Sequence, residues 1–170
     1  MKNAADRGDE SAASQTRTDQ IMISPLNRKS GIKIFFAALA SFVFSILYNG
    51  LVHLVILGQE NKITEPLRRP DFSSYLGLSI TATLVSSALF TLIFALLVEK
   101  KNIKTGLFYG FCVGLFIVTM VDVNQYVLYP LPLALVVKWA FFGLVEFSLA
   151  GMLVAWIVRE RTVDYKRWSS

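Results

Sequence analysis

One cysteine and one histidine in 170 residues already narrow the chemistry. A single thiol, Cys112, makes no intrachain disulfide and no CxxC pair, so quinone-linked thiol–disulfide exchange is not expected. One imidazole, His53, with carboxylates scattered along the chain, falls short of the ligand count of a metal site. Walker loops, zinc-finger spacings, HExxH and GxSxG are all missing, and the two halves show no convincing repeat. With neither a nucleophile beside a base nor a cofactor motif, the chain does not read as an enzyme, and no metal or cofactor is expected.

Charge is scarce too, and unevenly placed. Charged residues make up 17% of the chain and hydrophobic ones 54%, more apolar than a soluble domain. The excess lies in four runs near 32–57, 75–98, 105–129 and 131–158, each matching the ~20 residues that cross a ~30 Å hydrocarbon layer. The expected fold is an all-α membrane protein: an antiparallel bundle of four transmembrane helices, about 32–57, 74–99, 105–128 and 132–158, in a membrane domain over 31–160. Residues 1–30 are polar, lack the hydrophobic stretch of a secretory signal, and read as a disordered tail. Met22 is a second candidate start, whose use would remove most of that tail without changing the fold. Residues 161–170 read as a short basic-aromatic tail on the inner surface, with Tyr165 and Trp168 around Lys166 and Arg167.

The cytoplasmic flanks of membrane helices carry the excess of Lys and Arg. Arg28, Lys29 and Lys33 precede the first run, Lys100, Lys101 and Lys104 join the second to the third, and Arg159, Arg161, Lys166 and Arg167 follow the fourth. Only Lys62, Arg68 and Arg69 lie on the other side, so both termini are expected in the cytoplasm. The net charge of +5 is thereby accounted for by lipid and orientation, and nucleic acid is not an expected partner. Asp71 or Ser73 is expected to cap the second helix and Thr105 the third, and Tyr129-Pro130-Leu131-Pro132 forces a break between the last two. Tyr75, Tyr126 and Tyr129 on one side, and Tyr109 and Trp156 on the other, read as interface markers.

Helices associate in lipid through small residues and a few hydrogen bonds. Gly106, Gly110 and Gly114 form a double GxxxG, a packing surface within the chain or between copies. Ala37, Ser41, Ser45, Asn49 and His53 recur every four residues along the first helix, a stripe expected to face protein. Trp139, Phe142, Gly143, Glu146 and Ala150 share a face of the fourth.

Against this background three charges stand out, since each costs ~2.5–3.5 kcal/mol or more inside a span. Asp122 lies eight residues before Pro130 and Lys138 eight after it, which puts both ~12 Å from the hairpin tip. They are expected to pair, beside a polar cluster of Asn49, His53, Asp122, Asn124, Gln125 and Lys138 that Tyr48 and Tyr126 close. Glu146 is two turns deeper than Lys138, beyond its reach, with Ser41, Ser45, Thr91 and Gly114 at its depth. It is expected to be a protonated acid that donates to a hydroxyl oxygen.

Tyr48-Asn49-Gly50-Leu51-Val52-His53, Asn124-Gln125-Tyr126, Tyr129-Pro130-Leu131-Pro132, Trp139 and Glu146 together resemble small bacterial four-helix membrane proteins classed as domains of unknown function. The likeness covers residues 31–158. It implies a bacterial inner (cytoplasmic) membrane and carries over no activity, cofactor or catalytic residue. Two functions are therefore expected from the residues themselves. The first is a non-enzymatic accessory or structural multi-pass protein whose polar seam registers its helices. The second is a small proton-linked transporter or ligand-binding protein that titrates Glu146 and uses the His53, Asp122 and Lys138 cluster. Expected partners are the lipid bilayer and either further copies of the chain or a larger membrane protein.

Overall fold

The computed structural model describes residues 28–159. The expected polar tail up to residue 27, including Met22, and residues 160–170, including Arg161, Tyr165, Lys166, Arg167 and Trp168, lie outside the described residues. Of the two compact units, Met1–Lys33 is described only through the opening of the first helix, and Ile34–Ser170 carries everything below.

All regular structure among the described residues is helical. Helix α1 (Arg28–Gly50) continues into a π-helical turn (Leu51–Ile56), and two 3₁₀ segments follow at Glu60–Leu67 and Phe72–Tyr75. Then come α2 (Leu76–Leu97), α3 (Ile103–Met120), α4 (Asp122–Leu128) and α5 (Leu133–Val158). Four continuous stretches are long and apolar enough to cross a membrane: Ser30–Ile56, Phe72–Leu97, Ile103–Leu128 and Leu133–Val158. Large apolar side chains such as Leu54, Leu97, Phe108 and Phe141 stay exposed along them. In water such a surface would drive aggregation, whereas lipid is its natural solvent, which suits a multi-pass membrane protein.

The helix ends follow local chemistry, with two corrections. Asn102, not Thr105, is the N-cap of α3: its side chain accepts from the Thr105 N–H at 3.0 Å, and Thr105 Oγ1 accepts from the Asn102 N–H at 3.1 Å, a reciprocal capping box. Asp71 makes no side-chain cap because its carboxylate is engaged by Arg69 at 3.2 Å. Leu128 ends α4, and Pro132 precedes the first turn of α5, as proline chemistry demands.

Two irregularities interrupt otherwise continuous spans. Around Leu51–Ile56 the hydrogen bonds widen to five residues, with the Leu57 N–H donating to the Val52 carbonyl at 2.8 Å. At Val121 the N–H is shared between the Ile117 and Val118 carbonyls, a tightening that separates α3 from α4.

The closest helix pair is α3 with α5. A Cβ on Gly106 would collide with the Gly151 carbonyl, one on Gly110 with the Phe147 carbonyl, and one on Gly151 with the Gly106 carbonyl. Gly106, Gly110 and Gly114 are thus consumed within the chain, where their missing side chains let two backbones touch. The same contacts set an antiparallel register, with Val118 against Gly143 and Gly114 against Phe147. Tyr109 ties α3 to α2: its hydroxyl donates to the Phe90 carbonyl at 2.7 Å, and its ring packs on Phe90 and Phe94. It is an interhelical anchor rather than an interface marker. The apolar core gathers Ala37, Phe90, Phe94, Ala95, Ala150, Val154, Ala155 and Val158, from α1, α2 and α5.

Candidate functional site

Glu146 sits at the middle of α5, buried to 9% exposure, and it faces α1. Asn49 Nδ2 donates to its Oε1 at 2.8 Å and to the Ser45 carbonyl at 2.9 Å. The Ser45 hydroxyl is a second partner of the carboxyl. One turn along α5, the Phe142 carbonyl accepts from the Tyr48 hydroxyl at 3.1 Å. The four-residue ladder on α1 therefore meets α5, as its spacing implies. Along an α-helix each such step over-rotates by ~40°. The wider π turn rotates less per residue and offsets that drift, which keeps His53 near the face that carries Asn49.

Glu146 lies between two cavities. The first, about 290 Å³, is lined by Tyr48, Asn49, Val52, His53, Ile117, Val118, Asp122, Gln125, Trp139, Phe142, Gly143, Glu146 and Phe147. The second, about 320 Å³, has the hydroxyl residues Ser41, Ser45, Ser79, Thr83, Ser86 and Ser87 in its wall beside the apolar Ala82, Phe90 and Ala150, and shares Asn49, Glu146 and Phe147 with the first. Both the π turn and the break at Val121 border the first cavity, and helical irregularities of this kind are common at functional sites.

The Gly143–Val118 register, continued one turn, brings Asp122 level with Trp139, so Asp122 and Glu146 are two helical turns apart, ~10 Å along the cavity. Among the described residues no hydrogen bond or ion pair engages the half-buried Asp122 carboxylate.

The expected Asp122–Lys138 pair does not form. Lys138 Nζ instead meets Glu60 Oε1 at 2.8 Å. The depth arithmetic holds, but Lys138 is one residue, ~100°, around the helix from Trp139, and that rotation aims it at the 3₁₀ segment after the π turn. This hydrogen bond holds the Glu60 carboxyl below its ordinary value. Asn124 is also outside the cluster, exposed and donating to the Met120 carbonyl of its own helix at 2.6 Å. Of the two expected closing tyrosines, Tyr48 lines the cavity and Tyr126 does not. The cluster is therefore Asn49, His53, Asp122, Gln125 and Glu146, without Asn124 and Lys138.

The connection supplies a lid contact that the sequence did not announce. Asn61 is buried at 7% exposure. Its Oδ1 accepts from Trp139 Nε1 at 3.0 Å, while its Nδ2 donates to the His53 carbonyl at 3.0 Å and lies 3.3 Å from His53 Nδ1. An indole N–H can only donate, which fixes the amide's orientation, makes His53 Nδ1 an acceptor, and places that ring's proton on Nε2. Thr64 braces the turn by donating to the Asn61 carbonyl at 2.7 Å.

The chain matches no protein-family model, no curated protein and no solved structure. The likeness carried by Tyr48–His53 and the Tyr129–Pro132 break therefore brings no family assignment, and functional inference rests on the site.

Three participants escaped sequence reasoning. Asn61 and Glu60 lie in a connection with six charges, where nothing distinguishes a buried amide from a solvated one. Gly151 had a usable signal, its four-residue spacing to Ala155, a small-xxx-small pair facing the glycine ladder of α3.

Proposed function

We propose that this chain is a multi-pass protein of the cell membrane, its four spans an antiparallel bundle with both termini cytoplasmic, that binds a small ligand in exchange with a proton on Glu146. The observation that carries this reading is the position of Glu146, a buried carboxyl bordering two cavities of comparable volume inside a membrane span. An intramembrane acid is costly and therefore has a partner or a task; here one cavity offers a ligand-sized space and the other a hydroxyl-lined route on which a proton can pass between oxygens. The volumes sit at the small end of ligand sites, so the ligand is small. The bilayer is its solvent, and further copies or a larger membrane protein are the partners to look for.

A second reading is favoured by the completed hydrogen bonds of Glu146 to Asn49 and Ser45: a non-enzymatic accessory protein whose seam only registers its helices. The two separate in liposomes loaded with a pH-sensitive dye and challenged with small amines, amino acids, sugars and carboxylates. Proton movement triggered by one class in the wild type and lost in Glu146→Gln is expected. A Glu146→Gln protein that responds like the wild type removes Glu146 from the mechanism, and no response to any class favours the accessory reading. Cysteine labelling at Lys62 and Lys101 tests orientation, with external reactivity at 62 expected and at 101 reversing it.

A further inference from the structure

We infer that the first cavity is a site for a small organic cation, an amine or quaternary ammonium, held between Asp122 and Glu146. The inference rests on the ligand-binding reading above and names the class of ligand. Two carboxyl groups stand at its two levels, ~10 Å apart, and the walls between them carry the rings of Tyr48, Trp139, Phe142 and Phe147. No Lys or Arg lines the cavity, and Lys138, the cation nearest in sequence to its aromatic wall, is held outside by Glu60. Asp122 has no partner among the described residues, so a negative end is left for a ligand to satisfy.

A metal ion fits this lining poorly. Among the described residues no three metal-ligating side chains converge, and the rings of Tyr48, Trp139, Phe142 and Phe147 share the wall with its few oxygen-bearing side chains. Aromatic faces attract ammonium groups within ~6 Å, more strongly when desolvated. A carboxylate at one end and rings along the side select a positive head carrying apolar substituents, and they repel an anion.

The cation and a proton then compete for the Glu146 carboxyl, which links this site to proton exchange. The groups facing Glu146 across the cavity are Tyr48 of α1, His53 of the π turn and Asp122 of α4. From α2 come the hydroxyls of the second cavity with Ala82 and Phe90, and from α3 Ile117 and Val118, none of them charged. Binding of the cation is expected to release about one proton and to tighten as pH rises.

Calorimetric titration of the full chain in phosphatidylglycerol nanodiscs tests this with benzyltrimethylammonium, its neutral isostere in which tert-butyl replaces trimethylammonium, and benzoate. Only the cation is expected to bind, with proton release read from buffers of different ionisation enthalpy. Asp122→Asn and Glu146→Gln are each expected to weaken binding about tenfold or more, and Glu146→Gln alone to abolish the proton release. Two variants on different helices keep the test open if one misfolds. Adding phosphatidylethanolamine separates two sources of the ammonium: competition by the lipid marks a headgroup, and unchanged binding marks a free amine. Equal binding of the isostere, or binding of benzoate alone, overturns the cation while leaving a ligand site. No binding by any probe, together with no solute-driven proton movement in liposomes, overturns both.

Discussion

Gly110→Ala puts the α3–α5 seam to its sharpest test. A Cβ at this position would stand 2.8 Å from the Phe147 carbonyl carbon and 3.0 Å from Ser148 Cα, and closer still to the Phe147 oxygen. Carbon contacts settle near ~3.5–4.0 Å, and all three obstacles are backbone atoms that no rotamer change can move. The two helices must therefore part by roughly 1 Å along the seam, an overpacking that costs ~1–3 kcal/mol. Gly143→Ala is the internal control. There a Cβ would meet only Val118 Cγ2, at 3.7 Å, an ordinary contact, so the change is expected to stay within ~0.5 kcal/mol, with helix propensity favouring alanine. Reversible unfolding in mixed micelles, followed by helicity, measures both. Equal stabilities of Gly110→Ala and Gly143→Ala would refute the seam. A loss that depends on protein concentration would point instead to glycines buried between copies.

The other predictions concern polar contacts. Asn49→Ala, which deprives the Glu146 carboxyl of one of its two partners, is expected to destabilise the protein by about 0.6–1.7 kcal/mol, the range of interhelical hydrogen bonds in lipid; the same unfolding assay would show no change if the contact does not form. Asn61→Leu strands the Trp139 N–H and the His53 carbonyl, at ~1–3 kcal/mol for each group that finds no water, and should raise hydrogen exchange across residues 57–67. Unaltered exchange there would mean that Asn61 does not hold the connection down. The Glu60–Lys138 pair is exposed, so the stabilisation it adds at neutral pH is small. Because the Glu60 carboxyl is held below its ordinary value of 4.5, the pair's stabilising contribution is complete above that value and fades as pH falls through the lowered one. Acid loosening of the connection should therefore be salt-sensitive and absent in Glu60→Gln, and an equal acid response in Glu60→Gln would remove the pair as its cause.

The sequence by itself determined four helices long and apolar enough to cross a membrane, because about twenty predominantly apolar residues carry their own signal of length and solvent. It also placed the Pro130–Pro132 break, the glycine surface of α3 and the polar stripe of α1, since proline geometry, side-chain size and helical period are local properties. Depth was legible too: Asp122 and Lys138 do lie at one level. Facing direction was not. A rotation of ~100° between adjacent residues decided that Lys138 meets Glu60, and an extra residue in the π turn decided where His53 points. Burial of Asn61 depends on how a charged connection folds back onto α5, and such long-range contacts leave no period in the chain. Asn49, His53, Asp122 and Gln125 were legible as one polar cluster; the tertiary structure alone joined Glu146 to them, set it between two cavities and left Asn124 and Lys138 outside, because only the meeting of helices distant in sequence defines a space.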